Sequence, residues 1–139
     1  MRRMWIVLPT LALGILAACS SDPKDPYSYA SGNVPCVTAA DCCVVYDACL
    51  ATGLVVGKGD VLRVQGLLAD ANAPDAGKTC VRCMAPAVEV KCESSKCVGY
   101  VVPGDPSTLP AELSKDHCGA GNVPPNAKLV TSGARLSCP

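Results

Sequence analysis

The spacing of the cysteines constrains this chain more than any other feature. Ten of the eleven lie between Cys36 and Cys138, in the order Cys36-x5-Cys42-Cys43-x5-Cys49, Cys80-x2-Cys83, Cys92-x4-Cys97, Cys118 and Cys138. An even set at this density reads as a disulfide framework, which persists only in an oxidising compartment. The rest of the composition calls for such a framework. Beyond the N-terminal segment that holds Trp5, the only aromatic residues are Tyr27, Tyr29, Tyr46 and Tyr100, and Phe is absent. A core of Val, Leu and Ala over about 100 residues is marginal on burial alone. Each relaxed bridge adds about 2–4 kcal/mol. Adjacent Cys42 and Cys43 cannot bond to each other without strain, because disulfide Cα atoms stand farther apart than chain neighbours. They are expected to point to opposite faces of one strand and staple it on both sides. Sequence leaves the other pairings open, save one. Cys118 and Cys138 are the only cysteines after the proline-rich stretch 103–110, and we expect them to bond to each other in a separate tail. The competing possibility is that either one returns to Cys42 or Cys43.

Cys19 stands outside that set. It follows Leu16-Ala17-Ala18, at the end of an apolar run that begins behind Arg2 and Arg3. The run is too short for a spanning helix, which needs about 20 apolar residues, and Pro9 and Gly14 weaken it as a helix. Two arginines, an apolar core and a small-residue cleavage site are the parts of an export signal. Leu16-Ala17-Ala18-Cys19 resembles the lipobox of bacterial lipoproteins. That resemblance implies cleavage before Cys19, a diacylglyceryl group on its thiol and an acyl chain such as palmitate on its amine. It also implies a membrane partner reached through lipid. The absence of Asp at Ser20 resembles lipoproteins sent on to the outer membrane. Residues 1–18 would then be the signal peptide and 19–35 the lipidated cysteine with a flexible tether. The disulfide-stapled domain would be 36–102, with a proline-rich linker and closed tail at 103–139. The tether expectation rests on three prolines and few aliphatic residues in 20–35.

Local patterns place few elements. Val44-Val45-Tyr46 suits a strand. Val88, Val90 and Cys92 alternate with Glu89 and Lys91, Glu93-Ser94-Ser95 turns the chain, and Lys96 to Val102 runs back, a hairpin pattern. Two readings compete over 60–71. In one, Asp60 caps a helix with Val61, Val64, Leu67, Leu68 and Ala71 on one face; in the other, Gly57-Lys58-Gly59-Asp60 is a hairpin turn. The spacing favours the helix, although Gly66 sits within it. The expected fold is small, disulfide-rich α+β: a short antiparallel hairpin sheet, one helix and long loops.

The ordered series Cys36-x4-Asp41-Cys42, Cys80-x2-Cys83 and Lys91-Cys92…Lys96-Cys97-Val98 resembles the cysteine-rich region of uncharacterised lipoproteins common in myxobacteria. The similarity covers residues 36–102 and implies an envelope location without an established activity. Sharper chemistry finds less support. Cys80-Val81-Arg82-Cys83 has the spacing of a thiol oxidoreductase, but no βαβ pattern surrounds it and Pro86 blocks a following helix. Cys80, Cys83, Cys92 and Cys97 could hold zinc, yet exported thiols tend to oxidise; no metal or other cofactor is expected. Asp41-Cys42-Cys43 is similar to part of the whey-acidic-protein inhibitor domains, which makes a peptidase inhibitor with a disulfide-braced loop the alternative to a binding or structural role. In those domains, residues separate the acidic position from the cysteine doublet, and here they are contiguous. His117 is the only histidine and neighbours Cys118, whose thiol would have to be free for a Cys-His dyad. Gly57-Lys58-Gly59-Asp60 lacks the length of a phosphate-binding loop. Without Arg2 and Arg3 the side-chain charge is −2, with no basic stripe for nucleic acid. No catalytic residues are expected.

Overall fold

The computed structural model describes residues 25–30, 33–73, 77, 79–80, 84–105 and 108–130. Among the described residues, six strands form two antiparallel sheets. In the first, β1 (Cys42–Asp47) lies between β2 (Thr52–Gly57) and β5 (His117–Cys118); in the second, β4 (Lys96–Val101) lies between β3 (Val88–Glu93) and β6 (Lys128–Val130). The one α-helix among the described residues is α1 (Val61–Ala71). This is the disulfide-rich α+β class that cysteine density and alternation predict.

The layering follows from side-chain alternation along β1, whose successive residues point to opposite faces. Cys43 and Val45 face one cluster, with Leu54, Val56, Val64 and Leu68; Cys42 and Val44 face another, with Val88, Val90 and Cys97. The first sheet is therefore the middle of three layers, between α1 and the second sheet. Each cluster buries mainly β-branched or small side chains, as a chain without Phe requires. Among the described residues no helix is long and apolar enough to cross a membrane.

Turn chemistry matches the strands. In the β3–β4 hairpin, Glu93 faces Lys96 across Ser94 and Ser95, both at positive φ, the geometry that two-residue hairpin loops prefer. Between β1 and β2 the buried Asp47 carboxylate accepts the N–H groups of Cys49 and Leu50 at 2.9 and 3.1 Å, and Ala51 takes φ 50°. The helix forms over 61–71 as the spacing predicts, with Val64 and Leu68 buried and Val61 packed beside them. Gly66 is tolerated because it lies on the outer face, where a Cβ would meet nothing within 4 Å. Asp60 does not cap it: a 3-10 turn, Lys58–Asp60, runs straight into the helix, and the Asp60 side chain makes no capping bond.

Two boundaries differ from expectation. Residues 117–118 and 128–130 do not belong to a separate tail. β5 pairs with β1 and β6 with β4, and Cys118 bonds to Cys43, which stands directly opposite it in the sheet, so the expected Cys118–Cys138 bridge is replaced. Gly119 shows why the return is possible: its N–H donates to Cys42 O at 2.9 Å, and an added Cβ would lie 2.2 Å from Val90 O. Glu89, buried on β3, accepts the next N–H, from Ala120, at 3.3 Å. The tether is also shorter than 19–35. Residues Pro26–Ala30 form a 3-10 turn with Pro26 and Ala30 buried, and Tyr27 and Tyr29 pack against the first cluster. Tyr27 OH donates to Asp47, while Cys97 N–H donates to Val34 O at 2.8 Å. Prolines, read from sequence as marks of an open linker, here begin a docked turn. Cys19, Cys83 and Cys138 lie outside the described residues.

Candidate functional site

The most constrained surface feature is the loop from Val37 to Asp41, held at both ends by cystines. Cys36 bonds to Cys92 and Cys42 to Cys97. Cys92 and Cys97 face each other across the β3–β4 hairpin, so both bridges reach the same hairpin end side by side. Cys36 N–H donates to Ser95 O at 3.1 Å, and Pro35 bridges Lys96. Inside the loop one Asp41 oxygen accepts from Val37 N–H at 2.9 Å, Thr38 N–H at 2.7 Å and the Thr38 hydroxyl at 3.2 Å. The two N–H groups, Thr38's foremost, hold the Asp41 carboxyl below its ordinary value, with a smaller contribution from Lys58. Thr38-x-x-Asp41 is a local turn-initiating pattern that sequence alone offers; the paired cystines are not local.

Beside this loop runs an open groove of about 430 Å³, lined by Val34, Pro35, Cys36, Val37, Asp41 and the turn from Gly57 to Asp60. Val37 is 90 % exposed at its rim. The groove is shallow and largely apolar, with Lys58 and two carboxylates at its edge. Thr38 is extended, but the chain turns at once into the 3-10 stretch Ala39–Asp41. The loop thus presents the exposed Val37, Thr38 and Ala40 on braced backbone, without an extended run on both sides of Val37.

The sulfur chemistry is accounted for among the described residues. Cys80 bonds to Cys49 rather than to Cys83, and Cys92 and Cys97 bond to Cys36 and Cys42. These pairings separate the quartet read from sequence as a zinc possibility and dissolve the thiol-oxidoreductase spacing. Sulfurs of Cys36, Cys42 and Cys97 lie within 4.8 Å of one another, a consequence of two neighbouring cystines whose sulfurs already bond to sulfur. The expected opposite facing of Cys42 and Cys43 is realised, one bridge on each side of β1. Cys118 is no free thiol, so His117 has no dyad partner in it; His117 Nδ1 lies 2.8 Å from Lys115 O, and Nε2 is buried without a hydrogen-bond partner. Tyr46, placed on a strand by its β-branched neighbours, also ties three segments together, a role that no local pattern signals. Its hydroxyl accepts Val88 N–H at 3.0 Å and donates to Leu113 O at 2.6 Å. Burial pushes this phenol up to about 12, with Asp116 and Glu89 adding to the shift.

On the far side of the second sheet, Lys91 pairs with Glu93, Tyr100 OH donates to Glu93 at 2.8 Å, and Lys91 Nζ stands 5.0 Å above the Tyr100 ring. These three side chains satisfy one another on that face, beside the exposed Leu129. Comparison with protein-family models, curated proteins and solved structures finds no match to the chain.

Proposed function

We propose that this chain is a bacterial lipoprotein, anchored through lipid on Cys19 and displayed in the cell envelope, whose braced domain binds or supports envelope components and performs no catalysis. The observation that carries the proposal is the state of the cysteines. All eight in the described residues are committed to four disulfides, which suits an exported chain. Cys19 precedes that set and follows an export-type segment. The lipobox resemblance and the similarity of residues 36–102 to myxobacterial cysteine-rich lipoproteins support the same reading, and Ser20 favours the outer membrane. The groove beside the braced loop is where a binding role would reside, since its walls are pre-formed and cost little to order.

The anchor is tested by expressing the full chain and Cys19→Ala in a bacterium with lipoprotein processing. The parent should fractionate with membranes and carry the mass of acyl chains on its mature N-terminus. Cys19→Ala should lose both. A parent without added lipid, or a variant that still sediments with membranes, overturns the anchor.

A further inference from the structure

We infer that the helix layer of the domain rests on the membrane surface that holds Cys19, leaving the outer face of the β3–β4–β6 sheet turned toward the compartment. This rests on the lipid-anchor proposal and adds an orientation to it. Only six residues, 20–25, separate Cys19 from Pro26, and Pro26 is buried in a turn that packs against β2 and α1. The seven steps from Cys19 to Pro26 span at most about 25 Å, little more than the two layer spacings and the side chains beyond them. Layers of a domain pack roughly 10 Å apart, so the second sheet lies about 20 Å from the helix layer. Turning the domain over would demand a fully taut tether, whereas resting on the helix layer demands none.

That layer has the surface for it. Opposite the buried Val64 and Leu68, α1 presents Leu62, Gly66 and Ala69 at i, i+4 and i+7, all exposed, with Leu62 83 % exposed. Beside them the Tyr29 hydroxyl accepts from Arg63 at 3.3 Å, an aromatic with a polar tip of the kind that settles at headgroup level. Arg63 and Asp70 both stand exposed on the helix, so attraction to one lipid charge is not the driving force. The occupant is the lipid surface itself, held at high effective concentration by the short tether.

The sequence supplies a direct probe, because its only tryptophan is Trp5, which processing before Cys19 removes. Leu62→Trp, Ala69→Trp and Leu129→Trp would each be prepared as the full lipidated protein and reconstituted in phosphatidylethanolamine–phosphatidylglycerol vesicles with brominated acyl chains. Leu129 is exposed on β6 beside Tyr100 and serves as the reporter on the opposite layer. Emission from Leu62→Trp and Ala69→Trp should be quenched at least twofold more than from Leu129→Trp. Equal quenching, or stronger quenching of Leu129→Trp, overturns the orientation while a vesicle-bound parent without tryptophan emission leaves the anchor intact. A parent that emits as tryptophan or fails to float with vesicles overturns the anchor and the orientation with it.

Discussion

Gly119 and Asp47 carry more of this fold than their size suggests. At Gly119 the returning chain crosses the backbone of Val90 so closely that a methyl would sit 2.2 Å from a carbonyl oxygen. Backbone on both sides leaves nothing flexible to move. Gly119→Ala should cost on the order of 3 kcal/mol, seen as a midpoint lowered by more than about 10 °C in thermal unfolding; an unchanged midpoint would contradict the crossing. Asp47 is 1 % exposed. Burial pushes its carboxyl up, but donors from Tyr27, Leu50, Asn72 and Cys49 outweigh that and hold it below the ordinary value of 3.8. A carboxylate more acidic folded than unfolded stabilises the fold fully above the unfolded value, and the contribution fades as pH falls toward the folded one. Asp47→Asn should therefore lose about 2 kcal/mol near neutral pH and show a shallower loss of stability on acidification below pH ~4. Parallel acid slopes in urea titrations of the two proteins would rule this out. Asp41 and Glu93, also held low, leave a residual slope in the variant.

At the scale of elements, β5 shows how little strand a disulfide needs. Two residues, His117 and Cys118, pair with β1; a strand this short has no independent stability. The Cys43–Cys118 bond, the Gly119 N–H and Tyr46 OH on Leu113 O hold it. Peptide mapping of the unreduced protein should find the fragment containing Cys42 and Cys43 linked to two others, one with Cys97 and one with Cys118. A fragment linking Cys118 to Cys138 would restore the separate tail. The helix makes a complementary case. Its apolar spacing favours a helix over the competing hairpin turn but does not settle the start, because a 3-10 turn and a capped start begin with the same Gly-Lys-Gly-Asp.

The described residues form a three-layer stack in which β1 is the shared centre, stapled on one face to the β3–β4 hairpin and on the other to β5. Sequence separations of 55, 56 and 75 residues across Cys42–Cys97, Cys36–Cys92 and Cys43–Cys118 tie residues 36–43, the β3–β4 hairpin and β5 into one unit. Closing loops of that length restricts the unfolded chain strongly, which offsets a core without Phe. The same stack leaves two outer faces of different character: an uncovered helix with Leu62 exposed, and a sheet face on which Lys91, Glu93 and Tyr100 satisfy one another. The proposed anchor, leaving from the helix side, would make that difference consequential.

What the sequence determined by itself is local or countable: the disulfide-rich α+β class, the hairpin over 88–101, a spacing over 61–71 that favours helix over the competing turn, and the need for Cys42 and Cys43 to face opposite ways. Alternation, helical spacing and chain geometry act over a few residues, so they are visible in the chain. Which cysteines meet, the docking of Pro26–Ala30, the entry of 117–118 and 128–130 into the sheets, and the groove beside Val37 were decided by tertiary structure alone. Each depends on surfaces built by residues tens of positions away, where two or three residues pair because a partner edge, an accepting carbonyl or an opposite sulfur is already in place.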